Sequence, residues 1–525
     1  MKKHILRWLL PFSIATMSLS LFSCGQQEEA VDNAGGSAFY EIFVGSFSDS
    51  NGDGIGDLKG IEEKLDYLDD LGVSNLWLTP IHPSNTYHKY NVGDYYAVDS
   101  SFGTLEDFDS LAKAAKEKGI GIILDMVFNH AWSGSQWFKN FESAIAKRQT
   151  DSPYYDNFVI TNEPKYGYTL FPSSGYVETN FDSSMPEFNW DSQYVRSEFK
   201  KIQDFWIDHG AAGFRYDAVK YFYCTNSNGN ITGNDQKNFE AMKFLADSAK
   251  AKKADVYLVG ENWVEDINNI AYLAGSGMNI FNFPTCGLTA AGSVGKMVTK
   301  GGQSQFTDAV QRHQTLLRAK RADADLCYFI TNHDMDRWGS YRNGLKLAEE
   351  ARKCMASAYL LTPGTPFMYY GEELSMLGSR ASSDMTDAMR RQAMVWGEGD
   401  SHNCKQPEGF EVKEQTEDTV KKAQANPDSA YNHYKKVLKI RNSYKDLFRK
   451  GAFESLDLGQ SRCCGFKITL NEEVYYLIHN ANSSEETVSL PEVSQIAAEL
   501  QTVKTAAKLA EGSLTLGAYS SALLK

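Results

Sequence analysis

The sequence lacks an excess of basic residues, and this absence removes one large class of function. Its 525 residues carry 53 Lys and Arg against 67 Asp and Glu, which gives a formal net charge of −14 at pH 7. A nucleic-acid binder needs a basic face that neutralises phosphates, so we expect no nucleic-acid partner. Apolar residues are not scarce, at 42%, and a globally disordered chain is therefore also excluded.

Cysteine is scarce and irregularly spaced. Seven cysteines follow Cys24, and no two of them form a CxxC pair. The adjacent Cys463 and Cys464 cannot form a routine disulfide bridge with each other. This pattern argues against a disulfide framework and against a cysteine-based zinc site, so we expect most of these residues to be buried thiols.

An uninterrupted apolar run that could cross a membrane is also missing. The run Ile5–Phe22 follows a short basic start, is broken by Pro11 and several serines, and leads into LFSC, which ends at Cys24. A basic start followed by a short apolar run is typical of an export signal rather than of a permanent transmembrane helix.

The end of this segment is similar to a bacterial lipobox, in which the cysteine is lipidated and becomes residue one. We therefore expect a lipoprotein signal peptide over residues 1–24, lipidation at Cys24 and a flexible tether over residues 25–37. An ordinary signal peptide is the alternative. The acidic start of the tether is similar to the surface-export signal of lipoproteins in the Bacteroidetes.

After the tether, short apolar runs alternate with helical patterns. Runs such as GIILDMV (121–127) and VYLVGE (256–261) are apolar on both faces, which is typical of a parallel sheet covered by helices. Eight such runs predict a (β/α)8 TIM barrel. The predicted strands are 39–44, 75–79, 121–127, 213–217, 256–261, 279–283, 327–332 and 366–370. A doubly wound open sheet is the alternative, but no glycine-rich phosphate loop follows the first strand.

Two stretches depart from the alternation. Residues 131–190, rich in Tyr, Asn, Ser and Pro, are too long for a simple loop and predict an inserted domain B after the third strand. From residue 447 the pattern changes to short alternating strands, which predicts a C-terminal antiparallel β-sandwich domain over 447–525. The catalytic barrel is then expected over 38–446.

Polar side chains gather at the carboxyl ends of four predicted strands. The segments are DMVFNH (125–130), GFRYDAVKY (213–221), VGENW (259–263) and FITNHDMDR (329–337). In a barrel all strand ends of this kind meet on one face, where active sites are built. The acidic residues brought there are Asp125, Asp217, Glu261 and Asp334.

These acids suit the cleavage of a glycosidic bond. That reaction needs one carboxylate that attacks or positions water and one carboxylic acid that protonates the departing oxygen. Arg215 and Asp217 are two residues apart on a strand and point to the same side, so Arg215 can keep Asp217 ionised. Glu261, crowded by other acids, is expected to have a raised pKa, as a general acid requires.

The four segments resemble, in order, the four short conserved regions of the α-amylase family, glycoside hydrolase family 13. MPEFN (185–189) resembles the fifth region of that family, and TPGTPFMYYGEE (362–373) resembles its eighth-strand segment. The resemblance implies a retaining mechanism in which Asp217 is the nucleophile and Glu261 is the acid/base. It also implies that Asp334 grips the sugar 2- and 3-hydroxyls.

The resemblance implies further contacts with the substrate. The residues expected around the cleaved sugar are Tyr90, His130, Arg215 and His333. Of these, Tyr90 is expected to stack its ring on the sugar. Asp125 is either a support for this site or only a buried salt-bridge partner. Lys220 either reaches the +2 sugar or is a solvated residue at a helix start.

The segment DSNGDGIGD (49–57) is similar to the start of an EF-hand loop, with Gly54 at loop position 6. Position 12 is Gly60 instead of the bidentate glutamate, so a calcium sensor is disfavoured. The segment also resembles a calcium loop that a branch of the family carries after the first strand. The implied ligands of a structural Ca²⁺ are the side chains of Asp49, Asn51, Asp53 and Asp57 and the carbonyl of Ile55. A turn-rich loop that binds no metal is the alternative.

The family's second calcium site is in doubt, because Tyr221 replaces its usual histidine.

The resemblance implies an endo-acting α-amylase that hydrolyses α-1,4 bonds of starch, glycogen and maltooligosaccharides. AVKY (218–221) favours this activity, whereas MPEFN and DSNGDGIGD are also similar to segments of neopullulanases and oligo-1,6-glucosidases. Hydrolysis of α-1,6 bonds, or transglycosylation, is therefore the alternative. A non-catalytic starch-binding lipoprotein would lack a catalytic acid, and none is lost here.

The export signal and the resemblance together predict a location. We expect an outer-membrane lipoprotein of the Bacteroidetes surface starch-utilisation type, with the periplasmic face as the alternative. Other surface starch-binding proteins are then candidate partners.

Overall fold

The computed structural model describes residues 37–287, 290, 292–300, 305–340, 347–380, 387–410, 419–459 and 462–525. The expected signal peptide, Cys24 and residues 25–36 of the expected tether lie outside these ranges. Within them, no helix combines the length and the apolar character that a membrane span requires.

Eight parallel strands close into a barrel, which confirms the predicted (β/α)8 fold. Up to the end of the barrel the strands are β1 Phe39–Ile42, β2 Asn75–Leu78, β3 Gly121–Met126, β4 Ile160–Thr161, β5 Tyr168–Phe171, β6 Gly175–Glu178, β7 Gly213–Tyr216, β8 Cys224–Ser227, β9 Asn230–Gly233, β10 Tyr257–Gly260, β11 Asn279–Phe281, β12 Leu326–Tyr328 and β13 Thr365–Tyr369. The barrel runs in the order β1, β13, β12, β11, β10, β7, β3, β2. Each barrel strand overlaps one of the eight predicted ranges.

The helices alternate with these strands along the chain. They are α1 Leu58–Glu63, α2 Leu65–Leu71, α3 Leu105–Glu117, α4 Gln136–Ala146, α5 Gln193–Asp208, α6 Asp235–Lys252, α7 Ile267–Ala274, α8 Val294–Lys300, α9 Gln305–Lys320, α10 Glu349–Leu361, α11 Val420–Ala425, α12 Ala430–Ser443 and α13 Lys445–Lys450. Side-chain caps fix several starts. At α3, Thr104 and Asp107 form a reciprocal capping box.

The barrel interior has an apolar floor below a charged layer. The floor is made by buried side chains that include Phe39, Trp77, Ile123, Tyr257, Phe281 and Phe367. Two residues beyond Phe39 on β1 and Ile123 on β3, the same inward direction presents Glu41 and Asp125, and β7 presents Arg215 beside them. β3 and β7 are paired so that Asp125 and Arg215 are direct neighbours. The charged layer lies at the strands' carboxyl ends.

An inserted domain follows β3, where domain B was predicted. It contains α4 and an antiparallel sheet in the order β4, β6, β5. Its core is aromatic and includes Phe138, Phe158 and Phe188, with the Phe158 and Phe188 rings stacked 4.9 Å apart. A backbone bridge from His130 to Glu187 ties the domain to the end of β3. The hairpin β8–β9, after the fourth barrel strand, has no counterpart among the sequence predictions.

The C-terminal region forms two antiparallel sheets, which confirms the predicted β domain. Its strands are β14 Ala452–Ser455, β15 Cys463–Leu470, β16 Glu473–Asn480, β17 Glu486–Ser489, β18 Ile496–Leu500, β19 Lys508–Ala510, β20 Ser513–Leu516 and β21 Ser521–Leu524. One sheet runs β14-β15-β16-β21-β18 and the other runs β17-β20-β19. Ile478, Val488 and Leu514 come from both sheets and share one core. α13 crosses the expected boundary at 447, so the first strand starts at Ala452.

Of the seven cysteines in the described ranges, Cys286, Cys327, Cys354, Cys463 and Cys464 are buried. This agrees with the expectation that most of these residues are buried.

Candidate active site

The three predicted catalytic acids lie around one cavity at the carboxyl ends of the barrel strands. Asp217 directly follows β7, Glu261 directly follows β10, and Asp334 lies in the loop after β12. All three line a cavity of about 850 Å³, and so do the predicted substrate-binding residues Tyr90, His130 and Lys220. The fold therefore brings together acids that are far apart in the sequence.

Arg215 is a fully buried cation that holds three acids together. Its Nη1 atom donates to Asp125 Oδ1 at 2.7 Å and to Asp217 Oδ1 at 2.6 Å. Its Nη2 atom lies 3.1 Å from Glu261 Oε2 as an ion pair. Burial alone would lower the pKa of Arg215, but Asp125 and the surrounding groups raise it well above its usual value. Arg215 therefore stays charged and compensates the buried carboxylates.

Glu261 is the acid of this cluster with the properties of a proton donor. Its pKa is raised to about 7, and burial is the largest cause. Arg215 opposes this shift, and Asp217 and Asp334 add to it. A raised pKa of Glu261 was predicted from crowding by other acids, but those acids contribute less to it than the loss of solvent does. Ala218 donates its N–H to Glu261 Oε2 at 3.0 Å from a left-handed backbone with φ of 49°.

Asp125 lies behind the cavity wall and is 1% exposed. Its Oδ2 atom accepts from Trp77 Nε1 at 3.2 Å and from the Tyr90 hydroxyl at 2.9 Å. Burial raises the pKa of Asp125 to about 6. Asp125 therefore contacts both the Arg215 guanidinium and the hydroxyl of Tyr90.

Asp334 is held in place by two cationic groups. Arg391 Nη2 donates to Asp334 Oδ1 at 2.7 Å, and His333 Nε2 lies 3.1 Å from Asp334 Oδ2. Burial would raise the pKa of Asp334, but His333 and Arg391 hold it well below the usual range. Asp334 is therefore an anion at the cavity wall.

His130 and Lys220 also have fixed partners. His130 Nε2 lies 3.2 Å from the carbonyl oxygen of Tyr90, and burial lowers the pKa of this imidazole, so it is neutral at pH 7. Lys220 donates from Nζ to the carbonyl oxygen of Trp263 at 2.8 Å. Two rings of this cavity are open to solvent, since Trp263 is 44% exposed and Phe181 is 45% exposed.

The sequence of this chain matches two known protein families. The family "Alpha amylase, catalytic domain" matches residues 41–451. The chain belongs to the α-amylase family of glycoside hydrolases. A second family, "Alpha-amylase SusG C-terminal domain", matches residues 464–523. These matches cover the barrel with its inserted domain and most of the C-terminal sheets.

Individual relatives of this family member carry more than one name. Alpha-amylase 3 of Dictyoglomus thermophilum is 33% identical, with 100% of this chain and 99% of that protein covered. Oligo-1,6-glucosidase of Heyndrickxia coagulans is 29% identical, with 86% and 92% covered. Among solved structures, Eubacterium rectale Amy13B has a TM-score of 0.86 at 36% identity, covering 93% of this chain and 95% of that chain. The relatives therefore establish glycoside hydrolysis but do not decide the linkage.

Two residues of the site were missed by the sequence analysis of this family member. Arg391 lies in RRQAM, far from any of the recognised segments, and nothing local marks it. Glu41 interrupts the apolar run of β1 and is 2% exposed, and a charged residue in such a run was a usable signal. Its partner is His333, whose Nδ1 atom lies 2.5 Å from Glu41 Oε1.

The loop 49–57 is folded around the side chain of Asp49. Asp49 accepts the backbone N–H groups of Asn51, Gly52 and Gly54 at 2.7 to 3.0 Å. Asp57 caps α1 by accepting the N–H of Gly60 at 2.6 Å. Gly54 has φ of 96°, a left-handed conformation that glycine adopts without strain.

The donor set of this loop fits a hard cation. Carboxylate, amide and backbone oxygens are the ligands that Ca²⁺ prefers. The pKa of the Cys404 thiol is raised, mainly by burial and then by the negative charges of Asp49, Asp57 and Asp53. These three carboxylates therefore concentrate negative charge around one place. Within the described ranges, however, the three carboxylates are not close enough to place one oxygen each within 4.8 Å of the other two. Lys405 Nζ donates to the Asp53 carbonyl oxygen at 2.9 Å.

A separate acidic cluster joins the inserted domain to the first strand of the β8–β9 hairpin. Ligand atoms of Glu178, Glu187 and Cys224 lie within 4.8 Å of one another. The Asn180 amide donates to all three, at 3.0, 3.1 and 3.2 Å. Burial raises the pKa of Glu187 to about 8. The cluster is thus held by a side-chain amide in this structure.

Proposed function

We propose that the protein is a retaining, endo-acting α-amylase that hydrolyses α-1,4-glucosidic bonds of starch, glycogen and maltooligosaccharides. The observation that carries this proposal is the contact of one guanidinium, that of Arg215, with both Asp217 and Glu261. Retaining glycosidases place their two carboxyl groups closer together than inverting ones, which need room for a water between them. Because the carboxyl groups of Asp217 and Glu261 both contact the guanidinium of Arg215, they lie close together, which supports the retaining arrangement.

The first chemical step uses Asp217 and Glu261. A carboxylate oxygen of Asp217 bonds to the anomeric carbon while the bond from that carbon to the leaving sugar's oxygen breaks. Glu261, protonated below its pKa of about 7, transfers its proton to the departing oxygen. Asp334, held anionic by His333 and Arg391, binds the sugar hydroxyls during this step.

The second step reverses these roles. Glu261, now a carboxylate, takes a proton from water, whose oxygen bonds to the anomeric carbon as the bond to Asp217 breaks. Two inversions give a product with the original α configuration. The exposed rings of Trp263 and Phe181 supply flat surfaces against which further sugars can stack, which supports a polymeric substrate.

An α-1,6-specific hydrolase is the second candidate. It is favoured by relatives named oligo-1,6-glucosidase and glucan 1,6-alpha-glucosidase, at 29% and 28% identity. The full-length relative named alpha-amylase, at 33% identity, favours the first candidate.

Products from three substrates separate the two candidates. The soluble form starting at Gly25 is incubated with amylose, pullulan and isomaltose, and products are followed by chromatography and their anomeric form by NMR. The proposal predicts rapid shortening of amylose to mixed α-oligosaccharides, with isomaltose untouched. Preferential cleavage of pullulan or isomaltose would transfer the assignment to α-1,6 hydrolysis.

We also propose that the loop 49–57 binds a structural Ca²⁺, with Asp49, Asn51, Asp53, Asp57 and the Ile55 carbonyl as candidate ligands. The carboxylate-rich donor set and the turn at Gly54 support it. Bound to the native state alone, calcium at 100 times its Kd stabilises the fold by about 2.7 kcal/mol. The ion acts on stability and takes no part in the chemical steps.

Chelation is therefore expected to lower the melting temperature by a few degrees, and calcium should restore it. The measurement is differential scanning calorimetry in EDTA and in excess Ca²⁺. Asp53→Asn is the matched variant, because Asp53 is exposed and supports only one loop N–H, that of Ile55. Its melting temperature should not respond to calcium. A wild-type melting temperature that is unchanged after exhaustive chelation would remove the calcium site.

We further propose that Cys24 carries a lipid that anchors the protein to the outer membrane, at the cell surface. The basic start, the short apolar run and LFSC support it. Incorporation of labelled palmitate, lost in Cys24→Ala, is the expected result, and labelling that persists in the variant would contradict it.

A further inference from the structure

The ring of His333 lies between two carboxylates. Its Nδ1 atom is 2.5 Å from Glu41 Oε1, and its Nε2 atom is 3.1 Å from Asp334 Oδ2. The imidazole is 0% exposed, and Glu41 is 2% exposed. Glu41 belongs to β1, whereas His333 and Asp334 belong to the loop after β12, so the contact joins two elements of the barrel.

Other polar and charged groups surround this ring. The Tyr90 hydroxyl is 2.7 Å from His333 Nε2, and Arg391 Nε donates to the His333 carbonyl oxygen at 3.0 Å. Trp77 packs edge-on at 5.8 Å. Behind Tyr90 lie Asp125 and Arg215, and beside Glu41 lies Tyr369, under the Arg337 guanidinium. Two carboxylates thus face the ring nitrogens directly, and the guanidinium contact is to the backbone.

We infer that Glu41 is a positioning residue that keeps His333 doubly protonated and fixes its ring so that Nε2–H points at Asp334 and Tyr90. The inference rests on the proposed function, in which Asp334 and Tyr90 contact the cleaved sugar. Glu41 itself does not line the cavity, so it acts only through His333.

The hydrogen-bonding capacity of imidazole supports this inference. A neutral imidazole has one N–H and one lone pair, so one of the two carboxylates would face a lone pair. An unpaired buried carboxylate is strongly destabilising, which favours the imidazolium with two N–H groups. Although burial lowers the pKa of His333, Asp334 and Glu41 raise it to about 10. His333 is therefore charged at every pH at which the enzyme is expected to work.

Removing Glu41 changes both the charge and the orientation of His333. In Glu41→Gln the amide replaces one carboxylate, while burial still disfavours the charged ring, so the pKa of His333 falls. The ring can then rotate, Asp334 loses part of its cationic support, and Tyr90 loses a fixed partner. The chemistry at Asp217 and Glu261 is retained but works on a less well-held sugar.

The charge of His333 is measured directly by NMR of histidine labelled with ¹³C and ¹⁵N, with the signal assigned by comparison with His333→Gln. The wild-type ring should remain an imidazolium up to at least pH 8.5. In Glu41→Gln its titration midpoint should fall by at least about one pH unit. A wild-type ring that is neutral at pH 8, or an unchanged midpoint in the variant, overturns the inference whether or not the enzyme is an α-amylase.

Kinetics separate positioning from a loss of stability. We expect kcat of Glu41→Gln on maltooligosaccharides to fall by about 10- to 100-fold, because misplacement of a binding group has effects of this size. The ratio of variant to wild-type kcat/KM should fall further as pH rises and His333 loses its proton. Glu41→Asp, which keeps the charge, should recover part of the activity and restore the imidazolium.

The matched control is Glu373→Gln. Glu373 is also a buried glutamate at this side of the barrel, but its Oε1 atom accepts from the Tyr40 and Tyr67 hydroxyls, away from the cavity. Its variant should lower the melting temperature without changing the pH profile of kcat/KM. If Glu41→Gln and Glu373→Gln lose the same fraction of activity at every pH, Glu41 has only a structural role.

Discussion

Replacing Asp217 with Asn is expected to lower kcat on amylose by at least about 10⁴-fold while maltoheptaose still binds. The amide keeps the size of the side chain, and its oxygen can still accept from Arg215 Nη1. In the wild-type protein this nitrogen lies 2.6 Å from Asp217 Oδ1. It cannot form the glycosyl ester, so the first step has no nucleophile. Binding measured by calorimetry should change by less than about tenfold, because the other cavity residues remain in place.

The control for this prediction is Asp191→Asn, an aspartate whose side chain is 63% exposed and pairs with Lys237. We expect it to keep wild-type kcat and KM. Substantial turnover by Asp217→Asn would show that another residue is the nucleophile. A simultaneous loss of binding and of melting temperature would show instead that the substitution damages the site as a whole.

Replacing Glu261 with Gln is expected to lower kcat/KM on maltooligosaccharides by about 10²- to 10⁴-fold, the range of general acid catalysis. The loss should be small on α-maltosyl fluoride, since fluoride departs without a proton. Because its pKa is raised to about 7, Glu261 is protonated below that pH and loses its proton above it. Wild-type kcat/KM should therefore fall about tenfold per unit above pH 7.

The pH profile and the fluoride substrate test the same residue in two ways. The kcat/KM of Glu261→Gln on α-maltosyl fluoride should not fall above pH 7, because the titrating carboxyl group is gone and fluoride departs without a proton. Equal losses on natural and fluoride substrates would contradict the assignment of Glu261 as the proton donor. A wild-type kcat/KM that stays flat to pH 9 would contradict the raised pKa.

The eight strands and the acids at their ends were predictable because each is a local signal. Runs such as Gly121–Met126 are apolar on both faces, and Asp217 and Glu261 follow such runs directly. The sequence places these acids at strand ends, and the topology of a parallel barrel then places the strand ends on one face. Charge and spacing within a few residues were therefore sufficient for this part of the site.

The residues that complete the site were not predictable in this way. Arg391 reaches Asp334 from a segment 57 residues further along the chain, beyond the last predicted barrel strand, where no local motif marks it. Glu41 reaches His333 across 292 residues, and its role depends on which way β1 faces in the closed barrel. The order within the inserted domain also depends on packing, since aromatic residues such as Phe138 and Phe158 are scattered over a stretch without a clear period.

The cause of the raised pKa of Glu261 was also beyond the sequence. The count of nearby acids can be read from the motifs, but the loss of solvent that contributes most depends on how completely the barrel end is covered. Arg215 opposes the shift, and its distance of 3.1 Å from Glu261 is set by the pairing of β7 and β10.

The central claim is that Asp217 forms a covalent glycosyl ester with retention of configuration. The most direct measurement is to trap this ester with a 5-fluoro-α-glucosyl fluoride, digest the protein and locate the label by mass spectrometry. The account predicts one added sugar on the peptide that contains Asp217, no label in Asp217→Asn, and α-configured first products by NMR. A label on a different residue, or β-configured first products, would contradict it.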